Sequence, residues 1–331
     1  MAKTNYSAYI VSGGTKYDVT PALVEHDRSE DEDQIAQSVI LQLKNVKVGD
    51  SLLSTLLKPR SRVYLYAKDG STDVEVFRGF LWTGNSGESI SAKELQYKCY
   101  DNLIYFQESE DSLYFSSGKK TKDVFSSICD KWGIKMSYSY ESITHSKLLL
   151  RGKLADIFKA DILDLVKDRT GKKYVVISDK DTMHVKPVGS NTTIYHFTSA
   201  GNVTKASTGW TMDGMITKVV IVGKTESSGR EPVEATVKGN TDEYGTLQKI
   251  IDRKENTSLS DAKLEAKEII DKNGKPFWEY QIKAADIPWI RKGDKVYVDS
   301  GDISKKYLIV ASIERSINNK KQEMSMTLIE E

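Results

Sequence analysis

The side chains of this 331-residue chain that could do chemistry are four histidines, two cysteines and 47 acidic residues. A metal centre asks for His, Cys or carboxylate ligands at short helical or loop spacing. His26, His145, His184 and His196 are scattered, and no two stand four residues apart. Cys99 and Cys129 form no C-x-x-C pair and read as reduced thiols of a chain made in a cytoplasm. No Gly-x-Ser-x-Gly elbow occurs for a serine nucleophile, and neither cysteine has a recognisable catalytic setting. Gly171-Lys172-Lys173 lacks the upstream glycine of a phosphate loop, because Val166 stands there. Gly171 follows a helical segment and reads as its C-cap. The acidic run at 25–33 (EHDRSEDED) fails as an EF-hand: Ile35 replaces an oxygen ligand, and the sixth loop position is not glycine. It is expected to be a solvated loop between strands, or a contact loop on an assembly surface. Sequence cannot place two carboxylates at the separation glycoside hydrolysis needs. Trp278 and Trp289 could stack on sugars or bases, but their aliphatic strand neighbours make them packing residues. No catalytic, metal or cofactor residue is assigned, and no cofactor is expected.

The remaining sequence describes a scaffold. Apolar residues make up 39% and charged residues 29%, with 17 Tyr, 8 Phe and 5 Trp, enough large apolar surface to exclude disorder as the dominant state. The formal charge of +1 argues against a sequence-specific nucleic-acid binder, which needs a basic excess. The longest apolar stretches, 219–222 and 307–313, are too short to span a membrane, and the first residues show no secretory h-region. At roughly 150 residues per domain, two to three domains are expected.

Alternation predicts strands at 8–11 and 16–19 around Gly13-Gly14, then at 37–44, 62–67, 74–82 and 95–100. A helix is expected over 50–58, with Asp50 as N-cap and Pro59 as its stop. Helical spacing recurs at 122–132 and 154–169, followed by a hairpin over 174–178 and 183–186. Later come a strand at 214–222, a helix at 258–273 with Ser258 and Asp261 in a capping-box pattern, and strands at 294–298, 306–314 and 323–329. The plan VYLYA–KDGSTD–VEVFRGFLW–LQYKCY is echoed near the end by VYVDS–GDISK–KYLIVASIE–EMSMTLIE. The fold class is therefore α+β and β-rich. Residues 1–108 and 191–331 are expected to be two copies of one β fold, the second with one long helix, flanking a small α+β module at 109–190.

The order of these segments resembles phage-tail baseplate hub proteins of the XkdQ/YqbQ type, related to the gene-27 hub of large contractile phages. The carriers are Val76-Phe77-Arg78-Gly79-Phe80-Leu81, Tyr97-Lys98-Cys99-Tyr100-Asp101-Asn102-Leu103-Ile104-Tyr105-Phe106, Tyr244-Gly245-Thr246-Leu247-Gln248, Arg291-Lys292-Gly293-Asp294 and Met326-Thr327-Leu328. The resemblance implies a non-enzymatic homotrimer, made in a bacterial cytoplasm, whose two tail-tube-like β-barrel domains per subunit make a pseudo-sixfold ring. That ring would adapt a sixfold tail tube to a threefold central spike. It further implies contacts with the spike, a tail-tube or tube-initiator protein and baseplate wedge proteins, within a virion or a headless, diffocin-like R-type bacteriocin particle. A tail-associated cell-wall hydrolase or carbohydrate-binding module is the alternative, and nucleic-acid contact through the lumen is a third reading.

Overall fold

A computed structural model describes residues 3–89, 92–225, 227, 229–253 and 257–330. The chain is β-rich α+β and forms two compact units, one of residues up to 207 with those from 280 onward, the other of residues 208–279.

The first unit is organised by one large sheet. In spatial order ten of its strands are Thr15–Asp18, Tyr6–Ser12, Arg62–Asp69, Thr72–Ser89, Ala92–Tyr100, Ser38–Lys44, Leu23–Glu30, Ile303–Asn318, Gln322–Ile329 and Phe277–Ala285. The consecutive pairings from Thr15–Asp18 to Phe277–Ala285 are antiparallel. Lys295–Ser300 pairs with Ile303–Asn318 and carries Tyr195–Thr198 in parallel on its other side. Period-two alternation buries Val39, Leu41, Leu43, Val63, Leu65 and Cys99 in a core on the N-terminal side. Val296, Val298, Leu308, Ile313, Met324 and Met326 form its C-terminal counterpart.

A smaller α+β layer forms a third core. Helix Thr121–Lys131 and the helical segment from Leu154 to Thr170 bury Val124, Phe125, Ile128, Phe158, Ile162 and Val166 against the sheet Lys135–Tyr138, Thr182–Pro187 and Tyr174–Asp179. Gly171 ends that segment at φ +69°, its N–H on the Lys167 carbonyl at 2.8 Å, as its C-cap reading requires. The second unit has its own sheet and core. Lys218–Val222 pairs antiparallel with Val233–Lys238 and parallel with Gln248–Asp252. Helix Leu259–Asn273 packs Ala262, Ala266 and Ile270 on Val219 and Ile221. The Ser258 hydroxyl caps it, accepting from the Asp261 N–H at 3.1 Å.

Two expectations are corrected. The helix at 50–58 shrinks to one turn, Leu53–Leu56. Asp50 instead sits in the turn of a hairpin, Lys47–Val48 with Ser51–Leu52, made possible by Gly49 at φ +61°. The backbone preceding Leu53 is therefore held as strand before a helix can start. The acidic run is not a solvated loop. Most of it is the strand Leu23–Glu30, which joins the N-terminal strands to the C-terminal ones.

Candidate functional site

Leu23–Glu30 sits between Ser38–Lys44 and Ile303–Asn318, so one of its faces must enter the core. That face carries His26, Arg28 and Glu30, exposed by only 1%, 1% and 3%. Strand alternation places the three together, and the cost of burying them is offset by specific partners. The Arg28 guanidinium donates to the Val76 carbonyl at 3.1 Å and the Pro288 carbonyl at 2.6 Å. Directly across the ladder stands Arg315. It donates to Asp286 at 3.0 Å and to the carbonyls of Ile287, at 3.3 Å, and Ile290. Tyr6 donates its hydroxyl to the same aspartate. Two buried arginines thus grip one loop, 286–290, from adjacent strands. Burial, reinforced by Arg315, pushes Arg28 down to about 9. His26 lies edge-on to Tyr6 with ring centroids 4.6 Å apart, and both its ring nitrogens lack partners. Burial first, then the charges of Arg28 and Arg315, lowers it to about 3, so it is a neutral ring.

Glu30 extends this seam toward the smaller layer. Burial opposes its ionisation, yet Arg291 holds its carboxyl below the usual range, with Nε on Oε1 at 2.7 Å. Gln37 donates to the same oxygen at 3.1 Å. The other arm of Arg291 donates to the Ser178 carbonyl at 3.0 Å, and its N–H to the Asp294 carboxylate at 2.8 Å. Lys292 donates to the carbonyls of Asp31, at 2.8 Å, and Gln34, and burial lowers it to about 8. Gly293 takes φ +86°, and a Cβ there would lie 2.6 Å from a Val175 methyl.

Asp101 and Asn102 close the junction. The Asp101 carboxylate accepts from the N–H groups of Gln37, at 3.0 Å, and Leu103, at 2.9 Å, while burial pushes it up to about 7. Asn102 accepts from the Ser178 hydroxyl at 2.6 Å and donates to the Asp181 carbonyl at 2.7 Å. Asp181, at φ +67° in the turn before Thr182–Pro187, binds Arg62 and, at 3.4 Å, Arg78. Gly79 is required beside it, because a Cβ would fall 2.1 Å from the Tyr100 carbonyl oxygen.

The segments at 76–81, 97–106 and 291–294 therefore converge on one buried polar junction, although the sequence separates them by up to about two hundred positions. Most of its charged groups bind one another or backbone carbonyls, and these bonds tie the two halves of the large sheet to the small layer. Other residues considered for chemistry have surroundings of their own. Cys99 and Cys129 are buried free thiols. His145 holds the Thr121 hydroxyl at 2.9 Å. His196 stacks beside Tyr297 on an outer strand, and His184 lies on Thr182–Pro187. Trp289 packs against the N-terminal core, whereas Trp278 is half exposed. Among the described residues no cluster of three His, Cys, Asp or Glu could hold a metal, and no helix is long and apolar enough to cross a membrane. Sequence reasoning missed Arg28 and Arg315. The one available signal was the alternation of His26, Arg28 and Glu30 within the charged run.

The sequence model of a family described as YqbQ-like matches residues 58–329. No curated protein matches. Among solved structures, the 43 kDa tail protein of prophage MuSo2 from Shewanella oneidensis shares 15% identity over 98% of each chain, with a TM-score of 0.71. A tail protein from Neisseria meningitidis shares 13% identity over 99% of this chain and 97% of its own, with a TM-score of 0.70. An Escherichia coli component of the type VI secretion system, described as similar in structure to the T4 tail proteins gp27 and gp5, shares 8% identity. It is covered over 77% of its length and this chain over 100%, with a TM-score of 0.57. The fold is that of these tail proteins.

Proposed function

We propose that this chain, which belongs to the YqbQ-like family, is a structural baseplate hub of a contractile tail. Three copies close into a ring, with 1–108 and 191–331 as two tube-like domains and 109–190 as an outward module. Six similar domains then present a sixfold rim to the tail tube and a threefold floor to the central spike. The observation that carries this reading is the whole-chain match in fold to the two tail proteins, with hardly any residue of either partner left out. The buried junction supports it physically. A ring that bears load through contraction needs blocks whose parts do not slide, and paired arginines gripping one loop oppose sliding. The partners are the spike, the tube or its initiator, and neighbouring baseplate proteins, in a phage or a bacteriocin particle. The type VI component with the same fold is a relative from another injection apparatus.

The test is to image particles carrying this chain and to weigh the chain with and without its spike protein. Three copies on the tail axis, at three times 37.2 kDa, support the reading. A position off the axis, or a copy number of one or two, overturns it.

A further inference from the structure

Trp82 is placed unlike any other tryptophan of the chain. Leu81 pairs with Cys99 and Thr83 with Lys98, so Trp82 is the extra residue of a β-bulge, the device that re-aims a side chain out of a ladder. Its ring stays 40% exposed while Tyr100 and Tyr105 hold it edge-on, with centroids at 6.3 Å and 6.0 Å. Beside it opens a cavity of about 240 Å³, lined by Trp82, Tyr97, Ser54, Lys58, Thr83 and Asn85 among others. The floor is prearranged. Tyr97 lies across its ladder partner Gly84, where a Cβ would come within 2.7 Å of the ring. The wall is tied to the bulge on both sides, since the Arg60 N–H donates to the Leu81 carbonyl and the Leu81 N–H to the Ser61 carbonyl, each at 2.9 Å. Arg60 takes φ +64° to make that turn, and the Ser61 hydroxyl closes it on the Lys58 carbonyl at 2.7 Å.

We propose that this pocket is a saccharide-binding site, in which a sugar ring lays its C–H face on Trp82 and turns its hydroxyls to Lys58, Thr83 and Asn85. A pyranose has one apolar face and a rim of hydroxyls. The pocket matches it with one exposed indole, one phenol and short neutral donors and acceptors around a single ammonium. A nucleic acid fits less well, because its phosphates call for several cations and, among the described lining residues, only Lys58 is one. The site is independent of the hub reading, because nothing in it depends on ring formation.

The experiment titrates the 331-residue chain with chitotriose, cellotriose and maltotriose, followed by calorimetry and saturation-transfer NMR. At least one trisaccharide binds saturably, and Trp82→Ala weakens it by about tenfold or more. Trp82→Phe retains part of the affinity, and Trp278→Ala leaves it intact. Thermal unfolding checks each variant. Should Trp82→Ala fail to fold, Asn85→Ala, an exposed position, must weaken binding in its place. Binding of none of the three sugars overturns the proposal. So does affinity that survives in folded Trp82→Ala, or an oligothymidylate binding at Trp82 while the sugars do not.

Discussion

His26 makes the seam sensitive to acid. Its ring is 1% exposed, has no hydrogen-bond partner, and faces the charges of Arg28 and Arg315. It is lowered from 6.5 to about 3 in the folded chain, so unfolding lets it take up a proton at any pH between those values. Its contribution to stability is therefore complete above 6.5 and is lost as pH falls toward 3. At about pH 5 the unfolded ring lies roughly 1.5 units below its own titration point, which at ~1.4 kcal/mol per unit favours unfolding by about 2 kcal/mol. The perturbation is His26→Leu, whose side chain fits between Leu41 and Ile317 on the neighbouring strands. Denaturant unfolding of both proteins is measured at about pH 8 and about pH 5. The native chain loses about 2 kcal/mol more than the variant between the two. Other titrating groups are common to both proteins and cancel in the comparison. Equal losses would refute a neutral, desolvated His26 and, with it, the closure of the arginine seam.

Asp101 acts with the opposite sign. Burial raises it to about 7, so its contribution is present at low pH and lost as pH rises from its ordinary 3.8 through 7. Asp101→Asn is expected to flatten that decline in the same unfolding series. Arg315→Met leaves Asp286, 1% exposed in its side chain, without its cation and costs about 3–5 kcal/mol, read as a lowered denaturation midpoint. Replacing both, Arg315→Met with Asp286→Leu, recovers part of that loss. Gly293→Ala combines a left-handed backbone with a clash on Val175 and costs about 1–3 kcal/mol or more, visible as a lower Tm. Burial pushes both thiols up, Cys129 to about 12, and a thiol reagent labels neither Cys99 nor Cys129 until the chain unfolds.

Local signals in the sequence were strong wherever a segment settles its own conformation. The hairpin at Gly13-Gly14, the glycine stop at 171 and the Ser258 cap each depend on a few adjacent residues, and each is found in the structure. The helix at 50–58 was misread because its leucines satisfy an apolar face equally well from one turn and a hairpin, and only contact with the N-terminal core decides between them. The charged strand was misread for a similar reason. Charge predicts solvent when partners are unknown, and the partners of Arg28 and Glu30 lie at 76, 288 and 291.

The sequence by itself determined that the chain is a β-rich α+β scaffold of the YqbQ-like type, since alternation, turn residues and segment order are local properties written along it. Only the tertiary structure decided that the densest charge run is a buried strand, and that three distant motifs meet at one junction. It alone showed that a bulge turns Trp82 into a pocket. Long-range pairing decides which side chains lose water, and desolvation sets what a buried arginine or histidine can do.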